Sequence, residues 1–502
     1  MQKNKPEYSH KYNGKNIEFR AIEDALCVKT YPTTDKGISF IKTLRVDGIE
    51  GIHKNFTVPE ENIQIYKVVK HKREKLIETL SSYYGVENVN KVYVSGTDIF
   101  YGTGKLILIP KVKMSDRAIE KKCEGIVVDK FKGVYLIDYL NDTIADIKCG
   151  ELTNESWIEH VEKNFYTDQQ IPDHPLRVCD HPDTTIPLPK QKAYDITQTF
   201  EAHKKFEGNP DIKIAILDSG VDINHPDLKS QTIKKACWDF IRDSTHQIPL
   251  RVDAHGTLCA GLAVAKKNSS IGVDGVGKGC SLISYRIGMN DYSIPVQFRV
   301  NIYLTIKAIL KAGLNAKADV INCSWSLNQP FKTMEYAIKK VSKTISNPKG
   351  SIIVCSAGNN GSKVKFPGSL KSVITVSSVT ENKIPLHSGN SNTPSNYGKN
   401  VDIAAPGINL VTTDILCSYG ISGSIHNNHN YYTQFGATSG AAPQVAGCVA
   451  LMLSVNPSLK FSKIKKILKK TATEFSEKQD HHYGAGVLNV LNAVEEAKKR
   501  NL

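Results

Sequence analysis

A serine surrounded by small residues is the first candidate for chemistry in this chain. Ser439 lies in the stretch 434–448, QFGATSGAAPQVAGC, which is predicted to lead into an apolar helix. The small neighbours leave its hydroxyl uncovered and give another backbone room to approach. A serine hydroxyl is a weak nucleophile until a base takes its proton. Because serines also cap helices, Ser439 is a nucleophile only if the chain supplies a base, an orienting carboxylate and an oxyanion donor.

Three polar residues elsewhere in the chain could supply those groups. Asp218 ends an apolar run in ILDSGVD, His255 opens a run of small residues in DAHGTLCAGLAVA, and Asn359 follows an apolar run in CSAGNNGS. Each residue alone has a structural interpretation, as a turn aspartate, a structural histidine or a turn asparagine. Together with Ser439 they make up the set that acyl transfer requires.

These motifs resemble those of the subtilisin-like serine proteases, the subtilases, over residues 193–502. KIAILDSGVDINHPDL, HGTLCAGLAVA and GATSGAAPQVAG are similar to the aspartate, histidine and serine motifs, in the chain order of subtilisin. CSAGNNG is similar to the family's oxyanion segment. The resemblance implies a serine endopeptidase that forms an acyl-enzyme on Ser439. It also implies that His255 is the base and that Asp218 orients it, with Asn359 and the Ser439 N–H as oxyanion donors.

The substrate-binding strand and the serine motif both depart from the common family pattern. The segment 321–327, INCSWSL, resembles the strand that binds substrate through its backbone. The resemblance implies substrate contacts at Ser324, Trp325 and Ser326. Ser326 replaces a glycine that is frequent in the family, so we expect a narrower specificity pocket. Gly440 replaces a frequent methionine just after the serine, and we expect activity to persist.

A cysteine four residues after His255 is a candidate modulator of the site. Cys259 follows at helical spacing, so both side chains are predicted to project from one face of the helix. HGTLCAG resembles the thiol-bearing branch related to proteinase K, which implies a thiol beneath the catalytic histidine and inhibition by mercurials. The alternative is a plain core thiol.

A structural calcium ion is implied only by resemblance. The segment 269–277, SSIGVDGVG, is similar to a calcium-binding loop of the family, and Asp227 matches a carboxylate ligand of that site. Oxygen atoms are the ligands that calcium prefers. However, Ser269 stands where a ligating asparagine is common. No cofactor is expected to be required for catalysis.

The fold class follows from apolar runs that alternate with helical patterns after residue 211. Continuous apolar strands separated by helices predict a doubly wound, mainly parallel α/β sheet with both faces covered. The predicted strands are 213–218, 318–326, 351–359, 373–379 and 401–407, with helices at 301–313, 331–345 and 459–470. Since ligands bind at the carboxyl ends of such strands, Asp218 and Asn359 are expected at one edge of the sheet.

The region before residue 171 predicts a small α+β fold. We predict a polar tail at 1–20, strands at 63–69, 105–110 and 133–140, and helices at 73–85, 115–125 and 155–168. Proline-rich residues 171–192 predict an extended linker. The region before the linker also resembles the inhibitory propeptides of the subtilases, with HVEKNF at 160–165 similar to the end of such a propeptide. The resemblance implies an N-terminal α+β module of unknown role at 1–103, a propeptide-like inhibitory domain at 104–170, a linker in which self-cleavage is expected at 171–192 and a peptidase domain at 193–502.

Composition limits the partners and the compartment. The net charge of +15 comes from lysines spread along the chain, which favours a solvated surface over a nucleic-acid site. Eleven irregularly spaced cysteines without a CxxC pair favour buried thiols over zinc and indicate a reducing compartment. No membrane segment or signal peptide is expected. We therefore predict a cytoplasmic enzyme that acts on proteins or peptides, or one that is exported by a route without a classical signal peptide.

Two alternatives remain open at this point. One is a catalytically weak subtilase-fold protein that binds peptides. The other is a nucleic-acid-binding protein, which only the charge supports.

Overall fold

The chain forms two units in the computed structural model. Unit 1 comprises Met1–Asp168, Asp291–Lys307 and Gln329–Met334, and unit 2 comprises Gln169–Asn290, Ala308–Asn328 and Glu335–Leu502. The structure describes residues 8–12, 15–30, 49–58, 63–81, 86–95, 98–139, 141–169, 188–249, 253–267, 272–291, 297–342, 350–416, 430–477 and 482–499. Most of the predicted linker, 171–192, lies outside these ranges.

The strands of the described ranges are numbered in chain order. They are β1 Tyr8–Tyr12, β2 Lys15–Thr30, β3 Ile49–Val58, β4 Ile63–Val68, β5 Val86–Ser95, β6 Asp98–Pro110, β7 Ile126–Phe131, β8 Val134–Asp138, β9 Ile158–Gln169, β10 Lys213–Asp218, β11 Trp238–Asp239, β12 Ser281–Arg286, β13 Gly288–Asp291, β14 Gln297–Asn301, β15 Val320–Cys323, β16 Ile352–Ser356, β17 Ile374–Val379, β18 Ile403–Pro406, β19 Leu410–Thr413 and β20 Tyr431–Phe435.

The α-helices are numbered in the same way. They are α1 Arg73–Ser81, α2 Asp116–Cys123, α3 Asp142–Leu152, α4 Ala193–Ile196, α5 Thr199–Lys205, α6 Pro226–Lys229, α7 His255–Val264, α8 Ile302–Leu310, α9 Lys332–Ser342, α10 Ala437–Val455, α11 Phe461–Thr471 and α12 Val490–Lys499.

Unit 2 is built on a seven-stranded sheet in the order β11-β12-β10-β15-β16-β17-β18. Every adjacent pair is parallel. The strands are almost wholly buried, as expected for a parallel sheet that is covered on both faces. The predicted doubly wound α/β class is confirmed. The strand β12 was missed because polar Ser281, Ser284 and Arg286 interrupt its apolar run, although all six of its residues are buried.

Two buried helices occupy the core of unit 2. Both α7 and α10 are rich in small residues, and a Cβ added to Gly447 of α10 would lie 2.7 Å from the Ala263 carbonyl oxygen of α7. This close approach brings the N-terminal ends of the two helices, which carry His255 and Ser439, into one region. Of the described helices, α10 alone is long and apolar enough to span a membrane, but 89% of its apolar window is buried inside the protein.

Unit 1 contains an antiparallel sheet whose strands include β14-β9-β6-β5-β2-β4-β3 in that order, with β8 also pairing with β6. Ser115 is the N-cap of the helix α2, and its hydroxyl accepts the Ala118 N–H. The proposed boundary at 103/104 falls inside β6, so the stretches on its two sides share one sheet. The division into four segments otherwise stays a prediction.

Two predictions for unit 1 are wrong. The helix predicted at 155–168 is the strand β9, which pairs with β6 in a register that places Leu106 opposite Lys163. Apolar spacings of three and four residues at Ile158, Val161 and Phe165 imitate a helical stripe, but the neighbouring strand decides the backbone conformation. The polar tail predicted at 1–20 contains β1 and the start of β2, which pair with each other.

Candidate active site

Asp218 and His255 form a buried hydrogen-bonded pair in unit 2. Asp218 is the last residue of β10 and His255 the first residue of α7. His255 Nδ1 lies 2.9 Å from Asp218 Oδ1 and 3.0 Å from Oδ2, and the two residues are 2% and 1% exposed. The Ser219 N–H also donates to Asp218 Oδ1 at 2.8 Å. A carboxylate at Nδ1 holds the proton on that nitrogen and leaves Nε2 as an acceptor.

The charge of Asp218 controls the protonation of His255. Burial lowers the pKa of His255, but the adjacent Asp218 carboxylate outweighs burial, so that the pKa lies well above its usual value. The imidazole is therefore a strong base when it is neutral. It also stays protonated to a higher pH than an ordinary histidine.

Ser439 lies in the first turn of α10, after a constrained backbone turn. The strand β20 ends at Phe435, and Ala437 adopts a φ of 54°, a left-handed conformation that is uncommon for a residue with a Cβ. The Ser439 hydroxyl donates to the Ser324 carbonyl at 3.1 Å, and the Ser324 hydroxyl donates back to the Ser439 carbonyl at 2.9 Å. This exchange fixes the Ser439 side chain against the end of β15.

The Nε2 atom of His255 has no hydrogen-bond partner among the described residues. Cys259 Sγ lies 3.9 Å from His255 Nδ1 and 3.6 Å from the Ser439 carbonyl oxygen, so His255 and Ser439 flank the same thiol. Catalytic hydrogen bonds are often unformed before substrate binds.

The Asn359 side chain is oriented by Thr438. Its Oδ1 atom accepts the Thr438 N–H at 3.0 Å and also the Thr438 hydroxyl, while that hydroxyl accepts the Gly358 N–H at 3.2 Å. Because Oδ1 is occupied by two donors, the Nδ2 amide is directed away from Thr438. The Ser439 N–H, in the first turn of α10, lacks an acceptor within the helix. Two donors are thus available for an oxyanion.

The three predicted substrate residues have different environments. Trp325 is 1% exposed and its Nε1 donates to the Leu217 carbonyl at 2.9 Å, so only its backbone remains for a substrate. The Ser324 hydroxyl is bonded to the Ser439 carbonyl, as described above. The Ser326 hydroxyl packs on Gly358, where an added Cβ would lie 3.4 Å from Ser326 Oγ. A side chain at 326 therefore narrows the space beside the oxyanion segment.

The thiol of Cys259 lies beside the Asp218–His255 pair. Burial raises the pKa of Cys259, so the thiol is neutral near pH 7. Ligand atoms of Asp218, His255 and Cys259 all lie within 4.8 Å of one another. A soft metal ion bound to this thiol would therefore also reach the imidazole.

The space beside Gly440 is taken by a neighbouring side chain. A Cβ at Gly440 would lie 2.5 Å from Leu410 Cδ1 and 3.4 Å from Phe435 Cδ1. Leu410 thus packs where a larger residue after the serine would extend. The departure from methionine is matched by this packing and does not leave a hole.

Asp227 is fully buried and contacts hydrogen-bond donors. Its Oδ2 atom accepts the Val273 N–H at 2.9 Å, and it also interacts with the Tyr431 hydroxyl. A Cβ at Gly272 would lie 2.9 and 3.0 Å from the two carboxylate oxygens, so the loop backbone covers them. Calcium takes six to eight oxygen ligands. Residues 268–271 of this loop lie outside the described ranges, and in its described part Asp227 supplies a carboxylate that also accepts the Val273 N–H.

Sequence reasoning missed two residues that support the site. Thr438, next to Ser439, sets the orientation of the Asn359 side chain. Arg286 lies in register with Asp218 on the neighbouring strand β12 and is fully buried. The available signal for Arg286 was the short run Leu282, Ile283 and Tyr285 before it.

Known proteins are similar to this chain in sequence. A sequence model described as the Subtilase family matches residues 209–486. The thermophilic serine proteinase of Bacillus sp. (strain AK1) is 29% identical over 430 residues, covering 84% of this chain and 94% of that protein. A calcium-dependent protease of Trichormus variabilis is 30% identical over 350 residues, covering 61% of this chain and 49% of that protein, so the chain spans about half of that relative.

A solved structure shows the same fold. Fervidolysin from Fervidobacterium pennivorans, described as a keratinolytic enzyme related to subtilisin, matches with a TM-score of 0.59 and 23% identity. The match covers 79% of this chain and 61% of that protein. At this identity the likeness concerns the fold alone.

Proposed function

The chain belongs to the subtilase family of serine proteases, and on that premise we propose that it hydrolyses peptide bonds through an acyl-enzyme on Ser439. The observation that carries this proposal is the buried His255–Asp218 pair, which keeps Nε2 available as a base beside the first turn of α10. His255 and Ser439 also flank one thiol, that of Cys259. The substrate class is protein or peptide.

The first half of the reaction uses the geometry as follows. Ser439 Oγ leaves the Ser324 carbonyl, bonds to the carbonyl carbon of the scissile peptide and passes its proton to His255 Nε2. The carbonyl oxygen becomes an oxyanion, which Asn359 Nδ2 and the Ser439 N–H stabilise. Asp218 stays ionised and holds the imidazolium. When the oxyanion collapses, the C–N bond breaks and the leaving amine takes the proton from Nε2.

The second half releases the acyl group. Water gives a proton to His255 Nε2 and bonds to the ester carbon, and the same two donors stabilise the second oxyanion. Collapse of this intermediate breaks the bond to Ser439 Oγ, which regains its proton from His255. The products are a carboxylic acid and the free enzyme.

Unit 1 supports the proposal of an intramolecular propeptide. Glu162 on β9 is 1% exposed, and its carboxylate accepts the Lys332 N–H at 2.9 Å, the Thr333 N–H at 3.1 Å and the Thr333 hydroxyl at 2.7 Å. Asn164, two residues on, accepts the Tyr303 N–H at 3.0 Å. These side chains cap the first turns of α9 and α8, where a carboxylate is favourable.

We infer from this capping that residues 104–170 act as a chaperone and inhibitor of the same chain, and that self-cleavage occurs within 166–192. The test is the intact mass of wild type and Ser439→Ala after expression. Wild type should lose an N-terminal fragment that ends within 166–192, whereas Ser439→Ala should stay whole. Equal processing of both variants would place the cleavage in another protease.

Calcium and the compartment remain proposals. Two of the relatives are named calcium-dependent proteases, which supports the proposal of a structural calcium ion, and no step of the mechanism depends on it. The nine described cysteines are buried thiols, which supports the prediction of a reducing compartment.

A second candidate function is a peptide-binding protein with little catalysis. The observation that favours it is the Ser439 hydrogen bond to Ser324, which occupies the hydroxyl away from His255. A fluorophosphonate separates the two, because it reacts with an activated serine. Stoichiometric labelling of Ser439 supports the protease, and absence of labelling supports the binding protein.

A further inference from the structure

A buried arginine in unit 2 links the strand beside Asp218 to the segment before His255. Arg286 is 0% exposed and ends β12, in register with Asp218. Its Nη1 atom lies 3.1 Å from Asp239 Oδ2 and its Nη2 atom 3.2 Å from Asp253 Oδ2, and both carboxylates are buried as well. Asp253 is two residues before His255. Hydrogen-bonded charges in a dry interior hold one another in fixed geometry.

A chain of hydrogen bonds continues from Asp253 to the catalytic pair. The Asp253 carbonyl accepts the Ser219 hydroxyl at 2.6 Å, and the same hydroxyl accepts the Gly256 N–H at 3.1 Å. The Ser219 N–H then donates to Asp218 Oδ1 at 2.8 Å. The residue after Asp218 is thus tied to both flanks of His255.

The backbone segments joined by these hydrogen bonds are closely packed at Gly256. A Cβ at Gly256 would lie 2.1 Å from the Gly220 carbonyl oxygen and 3.1 Å from Asp218 Cβ. The first turn of α7 therefore rests directly on the loop that follows β10. A displacement of Asp253 would be passed to His255 because the contact at Gly256 is already close.

We propose that Arg286 is a positioning residue for His255. It fixes Asp253, and through Ser219 it fixes the first turn of α7, so that the imidazole keeps both Asp218 oxygens within 3.0 Å. Arg286 does not touch the reacting atoms and would act through His255. The inference therefore rests on the proposed catalytic function of the Asp218–His255 pair. A misplacement of about 1 Å at such a site costs on the order of 10²-fold in rate.

The first test measures kcat and KM on self-processed enzyme, with kcat normalised to the number of active sites that a fluorophosphonate titrates. We expect Arg286→Met to lower kcat about 10- to 100-fold with little change in KM, because positioning acts on the reaction step. Asp253→Asn should lower kcat similarly. The kcat of the double variant should be no lower than that of the less active single variant, because both substitutions remove the same Arg286–Asp253 ion pair. Arg286→Lys should recover part of the loss.

A matched control removes the other partner of the same arginine. Asp239→Asn also deletes a buried carboxylate beside Arg286 but leaves the Asp253 link, so kcat should stay within about threefold of wild type. Normal kcat per titrated site in Arg286→Met, with only a lower melting temperature, would overturn the inference. Additive losses in the double variant would overturn it too.

A second readout does not depend on turnover. The His255 Nδ1 proton, held by Asp218, gives a low-field NMR resonance whose position and exchange rate report on that hydrogen bond. We expect it to broaden or move in Arg286→Met and in Arg286→Lys to a smaller degree, but not in Asp239→Asn. An unchanged resonance would contradict the positioning role even if no variant cleaved peptides, whereas an inactive wild type with this resonance present would contradict only the proposed function.

Discussion

Each unit of this protein buries a network of charges, and among the described residues only the network in unit 2 leaves one of its side-chain atoms without a hydrogen-bond partner. In unit 1, Lys163 is fully buried with its Nζ atom 2.9 Å from Asp142 and 2.7 Å from Asp146, and it also contacts the Tyr93 hydroxyl. The Asp142 carboxylate also accepts the backbone N–H groups of Lys91, at Oδ2, and of Gly104, at Oδ1. In unit 2, the Asp218–His255 pair leaves His255 Nε2 without a partner among the described residues.

The difference separates a structural network from a reactive one. Burial lowers the pKa of Lys163, but the two carboxylates outweigh burial and raise it, so the ammonium is held in its charged form. Such a closed network specifies one packing. In unit 2, burying His255 Nε2 without a hydrogen-bond partner costs free energy. A substrate or a serine hydroxyl can bond to this atom, so the unpartnered nitrogen indicates where the reaction takes place.

The largest expected effect comes from replacing the Asp218 carboxylate of the network in unit 2. Asp218→Asn should lower kcat by about 10⁴-fold, because the amide no longer fixes the productive tautomer. The pH profile should change as well. In wild type, activity is lost as the pH falls through the raised pKa of His255, so the acid limb should lie above about pH 6.5. In Asp218→Asn that limb should move to lower pH, and an unchanged limb would exclude His255 as the base.

Breaking the closed network should affect stability and not the reaction. Lys163→Met leaves Asp142 buried without its cation and leaves Asp146 with the more distant Lys91 at 3.6 Å, which should cost about 3–5 kcal/mol in the free energy of unfolding. Denaturant unfolding in a Ser439→Ala background measures this without self-digestion. The control Lys121→Met removes an exposed lysine of α2 and should change it by less than about 0.5 kcal/mol. Equal effects of both substitutions would contradict the assignment.

Removal of an oxyanion donor should lower kcat less than the loss of the carboxylate that orients the base. Asn359→Ala should reduce kcat by about 10²–10³-fold with KM little changed, as expected for an interaction made only in the transition state. Thr438→Val keeps the backbone donor to Asn359 but removes the hydroxyl, so a smaller loss is expected. A larger loss in Thr438→Val than in Asn359→Ala would show that the amide is not the donor.

A mercurial should reach the reactive network through Cys259. Since the thiol lies beside both His255 and Ser439, we expect stoichiometric mercurial to inhibit the enzyme and Cys259→Ala to reduce that sensitivity by about tenfold or more. Cys448→Ala is the matched control, because Cys448 is another buried thiol of unit 2. Sensitivity that survives in Cys259→Ala and disappears in Cys448→Ala would reverse the assignment.

Removal of calcium should have the smallest effect. The Asp227 carboxylate already accepts the Val273 N–H and interacts with Tyr431. These contacts hold the described part of its loop in place without an ion. We expect a chelator to lower the melting temperature by less than about 2 °C, a change below roughly 2 kcal/mol for a protein of this size. A larger drop that added calcium reverses would show that residues 268–271 complete a site.

The sequence was most informative where local pattern and burial agree. Residues 213–218 were predicted with their observed bounds, because a strand covered on both faces is apolar at successive positions. The motif residues Asp218, His255, Asn359 and Ser439 were found through resemblance to a family. Their convergence depends on the parallel sheet and on the close packing of α7 with α10.

The remaining features depend on contacts between distant residues. The strand β9 was mistaken for a helix because Glu162 and Lys163 are buried polar residues whose partners lie far away in the sequence. Arg286 was missed because its carboxylates, Asp239 and Asp253, are 47 and 33 residues distant. The orientation of the Asn359 amide likewise follows only from its contact with Thr438, and no local pattern predicts such pairings.

The most direct test of the central claim is the intact mass of the purified chain after exposure to a fluorophosphonate, with the modified residue mapped by peptide sequencing. The account predicts one adduct per wild-type chain, located on Ser439, and a loss of that adduct in His255→Ala. An unlabelled wild-type chain after self-processing, or labelling that persists unchanged without the imidazole, would contradict it.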